Sequence, residues 1–274
     1  MTTIKDEDKV ENSASRAKLM QIRELLDIGA VRFDFEALLE YHYRKWVKQG
    51  DTIIDIGAHI GRHLGPLIEC IGPNGTALGF EPLPFAYEIL RQKFANTPNA
   101  QLLNLALSNK PGTASFTYAQ GTPEESGLRQ RQFNLPDAAN PTQIDVTVST
   151  LDAHTADLES LAFMKIDIEG GEIDCLHGAQ VTLNRFRPLV SVEYGRPSYS
   201  AYGNTAETLF DFAQHHGYVL YSIFLTPFET REDWKFGCDY VCWDYFMVPD
   251  EKRAEFDSAM AGNAAALASM ASPA

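Results

Sequence analysis

The feature that most constrains this chain is a rhythm that begins near residue 51, where short apolar runs alternate with stretches of helical periodicity. The runs fall at 52–56, 76–80, 101–107, 163–168, 189–193, 218–224 and 240–248, and helical spacing recurs over 61–71, 85–95, 173–184 and 205–216. Strands alternating with helices of this length make βαβ units, and a series of them builds a parallel sheet with helices on both faces. The final run follows 218–224 without a helical pattern between them, so the simplest connection makes the last strand antiparallel.

Two regions stand outside this rhythm and a third interrupts it. Leu19, Ile22, Leu25 and Leu26 over 16–27, then Phe35, Leu38, Leu39, Tyr43 and Trp46 over 33–48, predict two helices that stop at Gly29 and Gly50. Residues 1–49 are therefore read as a helical extension, 50–250 as the α/β domain and 251–274 as an Ala-rich C-terminal tail. Within the domain, 113–118 and 143–148 read as extra strands. Between them, 119–142 is rich in Gly, Pro, Asn and Gln and carries Arg129 and Arg131. A loop of this length inside a compact domain is usually functional.

Charge removes several classes of partner. A net charge of −14 over 274 residues opposes non-specific attraction to phosphate backbones and anionic lipid. Neither nucleic acid nor membrane is expected as a partner. Cys70, Cys175, Cys238 and Cys242 lack the paired C-x-x-C spacing of a zinc site and read as reduced, mostly buried thiols. The first fifteen residues are charged and contain no apolar core of a secretory signal, so a cytoplasmic location is expected.

Strands in the middle of a parallel sheet should be apolar throughout, yet several of these runs end in carboxylates: Asp55, Glu81, Asp167 with Glu169, and Glu193. In open α/β sheets, ligands bind beyond the carboxyl ends of the strands, so these acids lie on the expected rim of a site. The turn Asp55-Ile56-Gly57-Ala58-His59-Ile60-Gly61 closes a strand and opens a helix. Its glycines allow close approach of a ligand, and a helix N-terminus favours an anionic group. A dinucleotide fingerprint would want glycine where Asp55 stands, which disfavours a nicotinamide enzyme. Aspartate there suits a cofactor bearing both a cation and a carboxylate, and S-adenosylmethionine has both. Glu81, ending the next strand, can accept both hydroxyls of a ribose. Asn104, ending the third, could meet an adenine edge. Clustered carboxylates could instead coordinate Mg²⁺ or Ca²⁺, but no calcium-loop spacing is present and no metal is assigned.

Taken in order, D-I-G-A-H-I-G at 55–61, G-F-E-P at 79–82, N-x-A-L-S at 104–108, T-L-D at 150–152, K-I-D-I-E-G-G-E at 165–172 and R-P-L-V-S-V-E at 187–193 resemble the motifs of the FkbM-type methyltransferases. The resemblance covers residues 50–249. It implies a class I S-adenosylmethionine-dependent methyltransferase fold: a Rossmann-like seven-stranded sheet, its last strand antiparallel, with helices on both faces. By it, Asp55, Gly57 and Gly61 match the cofactor loop and Glu81 the ribose acid, and Ala58, His59, Pro82, Asn104 and Ala106 are expected beside them as cofactor-binding residues. Asp167 and Glu169 match the acidic motif facing the methyl-transfer site, and Asp167 is also assigned to the cofactor. His59 stands where similar sequences commonly carry Asn.

The resemblance further implies O-methylation of a small hydroxylated acceptor, a sugar or a glycosylated natural product. Lys165, Asp167 and Glu169 share one face of a strand by period two. Asp167 is the leading candidate to orient or deprotonate the acceptor hydroxyl, with Glu169 second and Glu193 reaching from the neighbouring strand. Glu172 is either a first-turn helix acid or part of the site. Histidines 59 and 63 read as exposed or capping. Residues 119–142 and 225–239, the latter with Phe228, Trp234 and Phe236, are expected to shape the acceptor pocket. The two N-terminal helices could cover the sheet edge or build a homo-oligomer. An NAD-dependent oxidoreductase and a non-catalytic adenosyl-binding module are the competing readings.

Overall fold

In a computed structural model of the chain, the structure describes residues 14–29 and 32–262; the leader and most of the Ala-rich stretch lie outside the described residues. The central strand β1 (Thr52–Ile56) is buried along its whole length because it pairs in parallel on both sides, with β2 (Thr76–Phe80) and with β7 (Phe163–Ile166). Beyond β2 lies β3 (Ala100–Leu103), and beyond β7 lies β8 (Leu189–Glu193), both parallel. The last strand, β11 (Asp244–Pro249), inserts antiparallel between β8 and β9 (Tyr218–Ser222), as expected, although the connection from β9 carries a seven-residue helix, Arg231–Gly237, that the sequence pattern does not show. The sheet thus holds the seven expected strands, with a two-residue strand β10 (Pro227–Phe228) added outside β9.

The single run expected over 101–107 is two strands. After Leu103 the chain leaves the sheet edge, and β4 (Ala106–Leu107) joins β5 (Gly112–Ala119) and β6 (Pro141–Ser149) in a separate three-stranded sheet. An edge strand is only half buried, so little holds it in the main sheet for longer. Leu83, Ala86, Ala106, Phe116, Val146 and Val148 form a satellite core between this small sheet and the helix after β2.

Helices follow the strands: α3 (Leu64–Ile71), α4 (Pro84–Lys93), a four-residue α5 (Pro136–Ala139), α6 (Glu172–His177), α7 (Gln180–Phe186), the short α8 (Arg196–Tyr199), α9 (Ala206–His215) and α10 (Arg231–Gly237). The helix expected over 173–184 breaks at Gly178, where a Cβ would lie 2.1 Å from the Ser108 carbonyl oxygen. The second half restarts on a borrowed cap, Asp152 accepting the N–H groups of Val181 and Thr182 at 3.1 and 2.8 Å. The T-L-D motif is thereby a capping device.

Of the N-terminal helices, α1 (Ala14–Asp27) lies against α10, and α2 (Phe35–Trp46) lies against α3. Asp34 caps α2 by accepting the Ala37 N–H at 2.9 Å, and the Tyr43 ring packs tilted against Phe163 of β7, centroids 5.7 Å apart. Leu38, Leu39, Tyr43 and Trp46 join the main core, so the extension packs as part of the α/β body. At the other end, α11 (Arg253–Met260) buries Phe256 completely, so the segment read as tail begins with a docked helix. Among the described residues, no helix is long and apolar enough to cross a membrane.

Candidate active site

A cavity of about 250 Å³ opens at the carboxyl ends of β1, β2 and β7, at the rim the acidic strand ends define. Asp55, Gly57, Ala58, His59, Glu81, Pro82, Ala106, Asp167 and Glu169 line it. Leu83, Leu105, Leu107 and Phe116 make one wall apolar, so the small second sheet serves as the side of the pocket.

The β1 turn folds as it does for steric reasons. Gly57 has φ +81°, and a Cβ there would stand 1.9 Å from the Asp167 carbonyl oxygen, so glycine lets the ends of β1 and β7 come together. Gly61 answers a different need: at φ +80°, its missing side chain makes room for Leu90 and Phe94, behind the cavity wall. The intervening residues form a turn and α3 starts only at Leu64, later than the motif suggests. His59 adopts φ +45°, a conformation that Asn and His tolerate better than most residues, which accounts for the exchange of one for the other here. That geometry points its N–H at Glu81 Oε2, 2.7 Å away.

Glu81 is 4% exposed and its other oxygen accepts the Leu83 N–H at 2.8 Å. Burial pushes its carboxyl up to about 7, against the pull of these two N–H groups. Asn104 stands behind it, donating to the carbonyls of Glu81 and Pro82 at 2.8 and 3.0 Å, and so braces the acid and does not line the cavity. Asp55 is 1% exposed and, among the described residues, neither carboxylate oxygen has a hydrogen-bond partner. Burial raises its pKa, with Lys165 and His63 opposing.

Around β7 the acids are held by side chains. Lys165 Nζ lies 2.8 Å from Asp167 Oδ2 and is 4% exposed. Burial works against the ammonium, but the charges of Asp167 and Asp55 more than offset it, and its pKa is raised. Burial likewise works against the Asp167 carboxylate, yet Lys165 and a hydrogen bond from Glu193 hold its pKa low. Glu193, at the end of β8 opposite Asp244, stands behind the wall, and burial and the Asp167 charge push its carboxyl well above its ordinary value. Glu169, in a left-handed backbone conformation at φ +59°, forms a buried ion pair with Arg131 and accepts the Ser198 hydroxyl at 3.0 Å. Burial and then the Asp167 charge raise its carboxyl, opposed by Arg131. Glu172 accepts the N–H groups of Gly170 and Ile168 at 2.9 and 3.2 Å, tying the acidic turn to the start of α6.

Several residues belong to this site that the motif reading omits or places elsewhere. Lys165 was visible by its period-two position, whereas Glu36, from α2, lines the cavity with no sequence signal. His63 is 4% exposed, packed between the Tyr43 hydroxyl and the Glu36 carboxylate, where an exposed or capping histidine was expected. Pro123, Glu124, Ser126 and Leu128 bring the 119–142 segment to the cavity, as expected, but Arg131 is buried on Glu169 and Arg129 lies over the Tyr202 ring. Residues 225–239 do not reach the cavity: Phe228 and Trp234 are buried against Tyr245, filling the core beside α9 and α10.

The strand order, with an antiparallel strand inserted next to the parallel edge, and a cavity at the strand ends define the class I methyltransferase fold. The family described as the methyltransferase FkbM domain matches residues 55–220, and the chain belongs to that family. Methyltransferase sdnD of Sordaria araneosa is 26% identical over 154 residues, which is 46% of this chain and 59% of the relative. The chain therefore spans well under two thirds of that curated relative. Among solved structures, an FkbM methyltransferase from Methylobacillus flagellatus shares 14% identity and a TM-score of 0.45, over 85% of this chain and 60% of the other. The fibrillarin of Aeropyrum pernix, solved with S-adenosyl-L-methionine, shares 12% identity and a TM-score of 0.38, over 74% and 67%.

Proposed function

We propose that the chain is an S-adenosylmethionine-dependent O-methyltransferase acting on a hydroxyl of a small neutral acceptor, a sugar or a glycosylated natural product, in the cytoplasm. The observation that carries this reading is Asp55, a fully buried acid on the cavity wall with both oxygens unpartnered. A buried carboxylate without a partner is costly, and a ligand cation relieves that cost. The residues fit the cofactor. Asp55 would hold its cationic amino end and Glu81 its ribose hydroxyls, with spare lone pairs beyond the two N–H groups already accepted. Leu83, Ala106 and Phe116 would cover the base. When bound, the cofactor supplies an electrophilic methyl group on a sulfonium.

The remaining chemistry belongs to the chain. Asp167 accepts the acceptor's hydroxyl proton, and Lys165 fixes the carboxylate and keeps it ionised until then. Glu193, behind it, steadies the carboxylate through its hydrogen bond. Glu169 flanks the acceptor, anchored by Arg131 and Ser198. The acids that line the cavity disfavour a phosphorylated acceptor.

The test incubates the protein with isotopically methyl-labelled S-adenosylmethionine and a panel of sugars and glycosides, followed by mass spectrometry. The expected result is label on an acceptor oxygen, lost in Asp167→Ala while S-adenosylhomocysteine still binds. Label found on nitrogen, or turnover unchanged in Asp167→Ala, would overturn the assignment.

A further inference from the structure

The end of the cavity nearest β1 carries more negative charge than its own side chains neutralise. Asp55 lies there with both oxygens unpartnered and 1% of its surface exposed. Glu36 enters the same wall from the first turn of α2, whose start is fixed by the Asp34 cap. The two cations on this part of the wall are committed elsewhere, Lys165 to Asp167 at 2.8 Å and Arg62 to Glu40 at 2.6 Å.

His63 explains why Glu36 stays in place. His63 Nδ1 lies 3.3 Å from the Tyr43 hydroxyl, and Nε2 faces the Glu36 carboxylate, to which a ring N–H donates. The imidazole is 4% exposed and both ring nitrogens are engaged, which fixes its orientation. A donor in that position matches a carboxylate and leaves Glu36 with acceptor capacity toward the cavity.

We propose that Glu36, carried by α2 ahead of the family-matched stretch, is a cofactor-binding residue: with Asp55 it forms a two-carboxylate subsite for a primary ammonium group, the amino end of S-adenosylmethionine. This rests on the cofactor reading above and adds to it a residue from the N-terminal extension. The extension then has a binding role in addition to covering the core.

The test measures calorimetric affinities for S-adenosylhomocysteine and for 5′-methylthioadenosine, which keeps the nucleoside and thioether but lacks the ammonium. Glu36→Gln keeps an oxygen for His63 and removes the charge. Its affinity for S-adenosylhomocysteine should fall roughly tenfold, one lost charge-assisted contact, while that for 5′-methylthioadenosine stays at the wild-type value. Glu88→Gln, on α4 outside the cavity and paired with Arg91, should change neither. Unchanged S-adenosylhomocysteine affinity in Glu36→Gln, or an equal loss for both ligands, overturns the proposal. If the wild-type protein fails to bind S-adenosylhomocysteine, the cofactor reading itself falls; if it binds and Glu36→Gln binds equally, only the role of Glu36 falls.

Discussion

The two halves of the cavity hold their acids in different ways. At the ends of β1 and β2, Glu81 is held by the backbone N–H groups of His59 and Leu83, and Asp55 by nothing. At the ends of β7 and β8, Asp167 is engaged by Lys165 and Glu193, and Glu169 by Arg131 and Ser198. Backbone donors fix an acid while leaving lone pairs open, which suits holding a ligand. Side-chain cations set an acid's charge and orientation, which suits moving a proton.

The largest expected effect tests the proton-handling half. Asp167→Asn should lower turnover roughly 10²–10⁴-fold with S-adenosylhomocysteine affinity unchanged, as measured by transfer kinetics beside calorimetry. A parallel loss of cofactor affinity would erase the division between the halves. Next, Arg131→Ala strips a buried ion pair of its cation and should destabilise the protein by about 3–5 kcal/mol in denaturant unfolding. Removing both partners, as Arg131→Met with Glu169→Leu, should recover most of that loss. A double variant no more stable than Arg131→Ala would mean the pair is not the relevant contact.

The smallest effect is one of pH. Burial lifts the Glu172 carboxyl from its ordinary 4.5 to about 7 in the folded protein. The folded state then holds a proton that the unfolded chain has released, so this contribution to stability is present below about pH 4.5 and is lost as pH rises through about 7. Glu172→Gln, which mimics the protonated acid, should flatten the fall of the thermal midpoint across that range. An unaltered slope would remove Glu172 from the titrating set.

The difference between the halves also decides what was legible in the sequence. Asp55, Gly57, Ala58, His59 and Glu81 act through their own turn and the next strand, so a local motif carries them. Asp167 and Glu169 were legible for the same reason. Two contacts were not: Arg131 meets Glu169 across 38 residues of sequence, and Glu36 reaches His63 across 27, separations at which no periodicity reports contact. The strand rhythm carried the parallel sheet because connection length sets it; the last strand is antiparallel as expected, but the helix Arg231–Gly237 before it left no periodic signal. It missed the break after Leu103 because apolar character continues through a change of sheet. The aromatic residues of 225–239 misled for a physical reason: a ring beside polar neighbours reads alike on a pocket wall and in a core, and Trp234 satisfies its indole N–H on the Ala206 carbonyl at 2.8 Å while fully buried.

The central claim is that the unpartnered Asp55 and the backbone-held Glu81 serve an adenosyl sulfonium cofactor. Calorimetric titration of the full chain with S-adenosylhomocysteine and with NAD⁺ tests it most directly. The account predicts saturable one-to-one binding of S-adenosylhomocysteine, weakened in Glu81→Ala, and no binding of NAD⁺. Tight binding of NAD⁺ without binding of S-adenosylhomocysteine would contradict it.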